Sequence, residues 1–285
     1  MLKQSISASL DKYYTKPSIA EACYKTMASF IKEKNPFFIE PSAGNGSFLQ
    51  WLPITHLAFD IKPESAGIIE MDFLGPDLIK AIPVRDVVVI GNPPFGARSY
   101  LALKFLNRSL DISDLVGFIL PISFRKWSIQ SKVVNGAHLI WDETLPDDSF
   151  LLDGKDYDAR CCFQIWSMPS HSIDPEPADL RLASKPTTCH PDFELYQYNC
   201  TVEAQKYFGY KWDVAIPRQG FCDYSIRALS EKDCDRRKQW IFIKAKNKQV
   251  LDRILSIDYD ELSKQNIGIP GFGKADLVKE YVRHK

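Results

Sequence analysis

The sequence contains no long hydrophobic run, and this excludes a membrane span of the usual kind. A transmembrane helix needs about 20 consecutive apolar residues, and the apolar stretches of this 285-residue chain are all much shorter. The opening residues, MLKQSISASLDKYYTK, also lack the apolar core of a secretory signal. We therefore expect a soluble, cytoplasmic protein with no membrane partner.

Closely spaced cysteine pairs are missing as well. The chain has seven cysteines, but none of them forms a C-x-x-C pair, and the spacings in the second half match no usual zinc site. An odd number of cysteines without a secretory signal favours reduced thiols. We therefore predict no disulfide framework and no metal.

Net charge of either sign is absent, because 36 basic and 36 acidic residues cancel. Any binding to nucleic acid would therefore depend on a local patch. One such patch is RRKQWIFIKAKNK, residues 236–248, which contains six Lys or Arg and no acid. The solvated face of a strand or helix can have the same composition, so charge alone does not decide its role.

What the sequence does contain is an alternation of short apolar runs with amphipathic stretches. Six runs are typical of buried strands: 36–40, 54–60, 86–91, 115–121, 138–143 and 159–166. Two stretches between them, 18–33 and 99–110, have apolar residues at helical spacing. Apolar strands that alternate with helices indicate a mainly parallel sheet covered on both faces. The predicted fold class is therefore α/β, with a Rossmann-like sheet and a small C-terminal module.

The boundary of that module is indicated by a change in composition. Residues 167–186 contain four prolines, which is typical of a connector. The basic patch and two helix-like stretches follow it. We predict one domain at 1–170 and a second at 171–285.

Acids and glycines follow the first predicted strands. Glu40 ends the first strand, Gly44 and Gly46 come after it, Asp60 ends the second strand, and Asp72 follows a short apolar run. Ligands of parallel sheets bind at the carboxyl ends of the strands, so these residues are candidates for one site. Glycines there allow the backbone to approach a ligand closely, and an acid after the second strand can accept hydrogen bonds from ribose. The sequence completes neither a dinucleotide fingerprint nor a phosphate-binding loop.

The strand 86–91 runs directly into Asn92-Pro93-Pro94-Phe95. Two consecutive prolines have a fixed φ and no N–H, so this turn can join neither a helix nor a sheet ladder. Its carbonyl groups and the Asn92 amide are left to bond something else. Taken together with the acids at the neighbouring strand ends, the turn predicts a site for a nucleoside-like cofactor; taken alone, it could be a stiff turn.

In this order and spacing, EPSAGNGSF, FDIKPE, MDFL and GNPPF resemble the motifs of the S-adenosylmethionine-dependent N6-adenine DNA methyltransferases. The segment YYTKP at 13–17 resembles their N-terminal cofactor motif, and the motif order is similar to the gamma group. The resemblance covers about residues 11–167. It implies a class I methyltransferase sheet, S-adenosylmethionine as cofactor, and a nucleic-acid partner that is DNA rather than RNA, recognised by residues 171–285.

The resemblance also assigns a set of residues to the cofactor. Glu40 and the glycine loop would hold its methionine end, and Asp60 would bind the ribose hydroxyls. Ile61, Asp72 and Phe73 would surround its adenine. The full set is Tyr14, Thr15, Pro17, Glu40, Pro41, Ser42, Ala43, Gly44, Gly46, Asp60, Ile61, Asp72, Phe73 and Asn92.

Catalysis is assigned by the same resemblance to Asn92, Pro93, Pro94 and Phe95. An adenine amine is a poor nucleophile because its lone pair is delocalised into the ring. The Asn92 side-chain oxygen and the Pro93 carbonyl would accept its two N–H groups and favour a tetrahedral nitrogen, an effect of preorganised polar groups. Phe95 would stack on the target base.

Three more residues are predicted to contact the substrate: Phe150, Arg218 and Arg227. Phe150 precedes the last predicted strand, where the family often has an aromatic residue, and a core position is the alternative. Arg218 and Arg227 lie in PRQGFCDYSIR, whose cations and aromatics could hold a nucleic-acid strand or form an ordinary loop.

Enzymes that methylate other substrates contain the same kind of turn. An adenine in RNA is favoured by the small predicted recognition module and the lack of net charge, and Phe95 occurs in turns of both DNA and RNA enzymes. A protein glutamine is a further alternative, although such enzymes usually carry a helical domain before the sheet. A non-catalytic binding module would not need both cofactor acids and the intact turn.

Overall fold

In the computed structural model, the apolar runs of the sequence form strands and the amphipathic stretches form helices. The structure describes residues 13–32, 35–77, 82, 86–171, 177–264 and 269–283. The chain divides into two units, Met1–Ala183 and Ser184–Lys285. None of the helices in the described ranges combines the length and the apolar character that crossing a membrane requires.

The strands and helices of the first unit follow the alternation expected from the sequence. Its strands are β1 (Tyr14–Thr15), β2 (Phe37–Glu40), β3 (His56–Asp60), β4 (Ile69–Glu70), β5 (Val87–Gly91), β6 (Leu115–Pro121), β7 (His138–Thr144), β8 (Phe150–Leu152), β9 (Lys155–Tyr157) and β10 (Cys161–Ser167). Its described helices are α1 (Pro17–Ala28), α2 (Tyr100–Leu110) and α3 (Trp127–Gln130), with 3₁₀ turns at Leu49–Trp51, Ala97–Ser99 and Ile122–Arg125.

Seven of these strands form one sheet in the order β4-β3-β2-β5-β6-β10-β7. The pairs from β4 to β6 are parallel, whereas β10 is antiparallel to both of its neighbours. The strand order changes direction between β2 and β5, and ligands bind outside the carboxyl ends of strands at such a point. The predicted fold class, an α/β Rossmann-like sheet, is confirmed.

Both faces of the sheet are buried, which explains why its strands are apolar throughout rather than alternating. Phe38 and Val88 belong to one core cluster, together with residues of α1. Ile39 and Val89 belong to the cluster on the opposite face, together with residues of α2. Successive strand residues point to opposite faces, so each of these strands contributes to both cores.

A small antiparallel sheet, β1-β8-β9, stands beside the large one. Thr15 pairs with Phe150, and Phe150 pairs with Tyr157. The hairpin between β8 and β9 turns at Asp153 and Gly154, whose φ angles of 51° and 76° are those that an Asp-Gly turn favours. The segment before α1 is therefore joined to a hairpin more than a hundred residues later in the chain.

The second unit is built on a three-stranded antiparallel sheet. Its strands are β11 (Phe193–Tyr198), β12 (Val214–Gln219) and β13 (Gln239–Ala245), and β13 lies in the middle. Its described helices are α4 (Lys248–Leu255), α5 (Tyr259–Ser263) and α6 (Lys274–Arg283), with 3₁₀ turns at Glu203–Gly209 and Glu231–Asp233. Trp240, Ile241, Phe242 and Ile243 are all buried on β13, so this sheet has its own core on both faces.

The division between the units falls within the proline-rich connector 167–186, after Ala183. Leu180 donates its backbone N–H to the carbonyl of Leu139 in β7, at 2.8 Å, and this contact keeps residues near 180 with the first unit. The assignment of 1–170 to catalysis and 171–285 to recognition stays a prediction.

Close packing of α1 on the sheet leads to a test of the fold. A Cβ atom on Gly117 of β6 would stand 2.7 Å from Met27 Sδ and 3.0 Å from Phe163 Cζ, and both neighbours are buried. Overpacking of this kind costs about 1–3 kcal/mol. We expect Gly117→Ala to lower the free energy of unfolding by that amount in urea denaturation. Gly209→Ala, where a Cβ would meet nothing within 4 Å, is the control; equal stability of the two variants would contradict the packing.

Candidate active site

A cavity of about 320 Å³ opens at the carboxyl ends of β2, β3, β4 and β5. Four parallel strands therefore bring their ends to one place, as the sequence predicts. The predicted residues that line this cavity are Tyr14, Thr15, Glu40, Pro41, Ser42, Ala43, Gly44, Asp60, Ile61, Asp72, Phe73, Asn92, Pro93, Pro94 and Phe95.

Glu40, the last residue of β2, is a buried acid at the base of the cavity. Its side chain is 2% exposed, and its Oε2 atom has no hydrogen-bond partner among the residues that the structure describes. Burial, and then the negative charge of Asp60, raise the pKa of Glu40 to about 8. A Cβ atom on Gly91 would stand 3.3 Å from Glu40 Cγ, so the glycine at the end of the neighbouring strand avoids a tight contact with this acid.

Asp60, the last residue of β3, holds the glycine loop. Its Oδ2 accepts from the backbone N–H of Gly44 at 2.8 Å, and its Oδ1 accepts from that of Lys62 at 2.8 Å. Gly44 has a φ of 54°, a left-handed conformation that glycine adopts without strain. The loop after β2 is therefore fixed to the end of β3, which is the position that a ribose-binding acid would need.

Tyr14 lies over the glycine loop. Its ring carbon Cε1 is 3.6 Å from the position that a Cβ of Gly44 would occupy, and its hydroxyl donates to Glu64 Oε2 at 2.6 Å. Burial and this hydrogen bond raise the pKa of the Tyr14 hydroxyl above its usual range. The hydroxyl therefore stays protonated and joins the strand β1 to the loop after β3.

Asn92 has a single orientation in the turn after β5. Its Nδ2 donates to the carbonyl oxygen of Tyr13 at 3.3 Å and to Thr15 Oγ1 at 3.1 Å, and its backbone carbonyl accepts from Ser42 Oγ at 3.1 Å. Its Oδ1 is buried and has no partner within the described part of the chain. The amide therefore keeps one hydrogen-bond acceptor unused at the wall of the cavity.

Aromatic rings extend from the turn to the β8–β9 hairpin. The centroids of Tyr13 and Phe95 are 6.2 Å apart, and Tyr157 stacks on Tyr13 at 4.6 Å with an interplanar angle of 17°. Sequence reasoning missed Tyr13 and Tyr157 as members of this group. The Asp-Gly turn in LLDGKDY is a signal for a hairpin and could have indicated that Tyr157 lies across from Phe150.

Phe150 does not lie where its predicted stacking role would need it. Its side chain is fully buried in the core cluster under α1, and it does not line the cavity. The reason is that β8 directs this ring into the core cluster rather than toward the cavity. Pro17 and Gly46 are also outside the lining: Pro17 begins α1, and Gly46 forms the turn of the loop with a φ of 84°.

Arg218 and Arg227 lie in the second unit and have partners there. Arg218 donates to the side-chain oxygens of Gln219 and Gln239, and burial lowers the pKa of its guanidinium. The guanidinium of Arg227 lies 4.5 Å from the centroid of the Tyr259 ring. Their contact with a substrate stays a prediction.

Half of the cations in the basic patch 236–248 are neutralised by acids in the structure. Arg236 pairs with Glu231, Arg237 pairs with Asp235, and Lys244 pairs with Glu194. The patch is therefore less positive than its sequence suggests. The acids that pair with its cations lie outside residues 236–248, one of them directly before the patch.

Comparison with solved structures gives several that share the type of fold at low identity. The chain is similar to a candidate RNA methyltransferase of Pyrococcus horikoshii (18% identity, 58% of this chain and 90% of that chain, TM-score 0.45). It is also similar to a candidate class I S-adenosylmethionine-dependent methyltransferase of Listeria monocytogenes (15% identity, 63% of this chain and 67% of that chain, TM-score 0.47). A third is the M protein of the type I restriction enzyme EcoKI (14% identity, 65% of this chain and 48% of that chain, TM-score 0.43). This chain therefore spans about half the length of that protein.

No family model matches the chain, and no curated protein matches it. The geometry of the site and the motifs of the sequence are therefore the grounds on which a function can be proposed.

The buried state of Glu40 leads to a pH-dependent prediction. Its pKa is about 8 in the folded protein against 4.5 for the ordinary group. The folded protein therefore holds a proton in this range that the unfolded chain releases. The contribution of this bound proton to the free energy of unfolding is fully present below pH 4.5 and is lost as the pH rises through 8.

We expect Glu40→Gln to remove this dependence. The free energy of unfolding of the unchanged protein should fall relative to the variant between pH 5 and 8, by roughly 1.4 kcal/mol for each unit of pKa difference at most. The measurement is urea denaturation at several pH values. Glu70→Gln, at an exposed glutamate, is the control and should show the same pH dependence as the unchanged protein. If Glu40→Gln also showed that pH dependence, Glu40 would not be its source.

Proposed function

We propose that this chain transfers a methyl group from S-adenosylmethionine to the N6 amino group of adenine in DNA. The observation that carries the proposal is the buried, unused Oδ1 of Asn92 at the wall of the cavity, beside the aromatic Phe95. A buried acceptor without a partner costs free energy, and its retention in a rigid turn is consistent with a donor supplied by a ligand.

The residues at the strand ends fit S-adenosylmethionine. The Glu40 carboxyl is buried and its Oε2 has no described partner, and it would bind the ammonium group of the methionine end in its ionised form, which that positive charge favours. Asp60 would bind the ribose hydroxyls. Ile61 is 59% exposed although apolar, so it offers apolar surface to an adenine, whereas Phe73 lines the cavity from the buried core. Asp72 would accept from the adenine amino group.

The cofactor supplies, when bound, a methyl group on a positively charged sulfur that keeps the electron pair of the broken carbon–sulfur bond. The task of the chain is to make the target amine nucleophilic. Asn92 Oδ1 and the Pro93 carbonyl would accept its two N–H groups, which localises the nitrogen lone pair. Because the nitrogen becomes cationic when it is methylated, water can take its proton, and no side-chain base is needed.

Stacking supports a base as the substrate. Phe95 and Tyr13 both line the cavity, and their ring centroids are 6.2 Å apart at an interplanar angle of 32°, so the rings would have to separate and become parallel to admit a planar base. Tyr157 supports Tyr13 from behind. An adenine in a duplex would have to leave the helix to reach this position. The choice of DNA rests on the resemblance of the motif order to amino-DNA methyltransferases.

The test is methyl transfer from radiolabelled S-adenosylmethionine to double-stranded DNA, single-stranded DNA, total RNA and a glutamine-containing protein extract in parallel. Label recovered from DNA as N6-methyladenine is the expected result. Label in RNA or protein alone would overturn the substrate, and no label in any of them would overturn the proposal.

Asn92→Ala is expected to lower kcat by about 10²–10³-fold, which is the usual effect of removing one preorganised polar group. The affinity for S-adenosylmethionine, measured by calorimetry, should change much less, since Glu40 and Asp60 are intact. Unchanged turnover in this variant would remove Asn92 from the mechanism.

Tyr13→Ala is expected to lower kcat/KM for the nucleic-acid substrate by about 10- to 100-fold, because stacking contributes roughly 1–3 kcal/mol per base. Tyr13→Phe keeps the ring and should retain activity within a few-fold. The backbone carbonyl that orients Asn92 is present in both variants. Equal loss in both would indicate that the hydroxyl, rather than the ring, matters.

A further inference from the structure

The side-chain amide of Asn92 can be assigned its orientation from chemistry. The carbonyl oxygen of Tyr13, 3.3 Å away, accepts hydrogen bonds and cannot donate them, so the atom that faces it must be the amide nitrogen. The second N–H of the same nitrogen is directed to Thr15 Oγ1, at 3.1 Å. With both N–H groups occupied, the oxygen is left at the opposite end, where it has no described partner.

Thr15 is held in place from several sides. Its side chain is 4% exposed, and its backbone pairs with Phe150 in the β1–β8 ladder. The next residue, Lys16, donates its backbone N–H to the carbonyl of Ser149 at 3.1 Å. The Lys16 ammonium also bridges two carboxylates of the same loop and hairpin, Asp148 at 3.2 Å and Asp156 at 2.9 Å. The hydroxyl of Thr15 is thus a fixed acceptor.

We propose that Thr15 is a positioning residue for Asn92, and that its hydroxyl oxygen, together with the Tyr13 carbonyl, holds the amide in the rotation that presents Oδ1 to the target amine. The terminal torsion of asparagine is broad and roughly two-fold, so the side chain alone does not choose between its two ends. The Tyr13 carbonyl can only accept, so it determines which end of the amide faces it, and the Thr15 oxygen accepts from the second N–H. Rotating the amide would place Oδ1 against the Tyr13 carbonyl, with no donor between the two oxygens.

This inference rests on the proposed function for the role of Oδ1, but its structural part can be tested without cofactor or substrate. The residues before α1, which the resemblance assigned to the cofactor, would also orient the Asn92 amide. The strand β1 and the hairpin β8–β9 would set the geometry of the catalytic turn from a distance in sequence.

The first experiment is NMR of the ¹⁵N-labelled full chain without ligands. The side-chain NH₂ signals of Asn92 are identified by their loss in Asn92→Ala. We expect Thr15→Val, which removes the hydroxyl while keeping the shape, to raise the solvent-exchange rate of these protons by up to about tenfold, the effect of one lost hydrogen bond. Thr15→Ser keeps the hydroxyl and should leave the rate within about twofold. Thr26→Val, on α1, is the matched control for the substitution itself.

An exchange rate that is the same in Thr15→Val as in the unchanged protein would overturn the positioning role, whatever the substrate proves to be. The same result in Thr15→Ser and Thr15→Val would also overturn it, since the hydroxyl would then not be the relevant group.

The second experiment measures kcat with the substrate found in the methyl-transfer assay. Thr15→Val should lower kcat by about tenfold, equivalent to about 1.4 kcal/mol, and Thr15→Ser should restore it. In the Asn92→Ala background, Thr15→Val should cause no further loss, because the group that it positions is gone. An additive loss would overturn the proposal. If no substrate is methylated, the proposed function fails, while the NMR result still decides whether Thr15 orients the amide.

Discussion

The parallel pairing of β2 with β5 is the constraint on which the site depends. This pairing places the end of one strand, Glu40, beside the end of the other, Gly91, where an added Cβ would stand 3.3 Å from Glu40 Cγ. Because the order of the sheet changes direction between these two strands, the loops that follow them diverge and leave a cavity. The turn that begins at Asn92 can therefore stand beside a buried acid, although fifty residues separate them.

The cavity is completed by segments that do not belong to the large sheet. The residues before α1 pair with the hairpin at 150–157, and the two together cover one side of the turn. Lys16 joins them by two ion pairs, which are partly exposed and so add only a modest stabilisation each. The backbone ladder and the stacked rings of Tyr13 and Tyr157 do more to fix the geometry. The hydrogen bonds that orient Asn92 come from this small sheet.

Several buried polar atoms of the described residues have no partner, and one of them, Gln164 Nε2, lies within the large sheet on β10. Two others, Glu40 Oε2 and Asn92 Oδ1, belong to residues that line the cavity. Buried polar atoms in folded proteins are nearly always bonded, so such exceptions require an explanation. A site that binds a cation at one position and an amine at the other explains both. Burial of the Glu40 carboxyl disfavours its charged form, and the raised pKa of this group expresses that cost.

The apolar strands of the large sheet were predictable from the sequence alone, because strands buried on both faces are nearly continuous apolar runs that alternate with amphipathic helices. The sequence also determined most of the cavity lining, since residues after parallel strands must meet at one edge. The two-residue strand β1 was missed, because it is too short to show a period. Phe150 has the core position that was the alternative to stacking, and Tyr13 and Tyr157 were overlooked, because the ring that faces a cavity depends on how a hairpin docks. The orientation of the Asn92 amide was decided only by the tertiary structure, which brings the acceptors of β1 to within hydrogen-bond distance of a turn that lies far away in the chain.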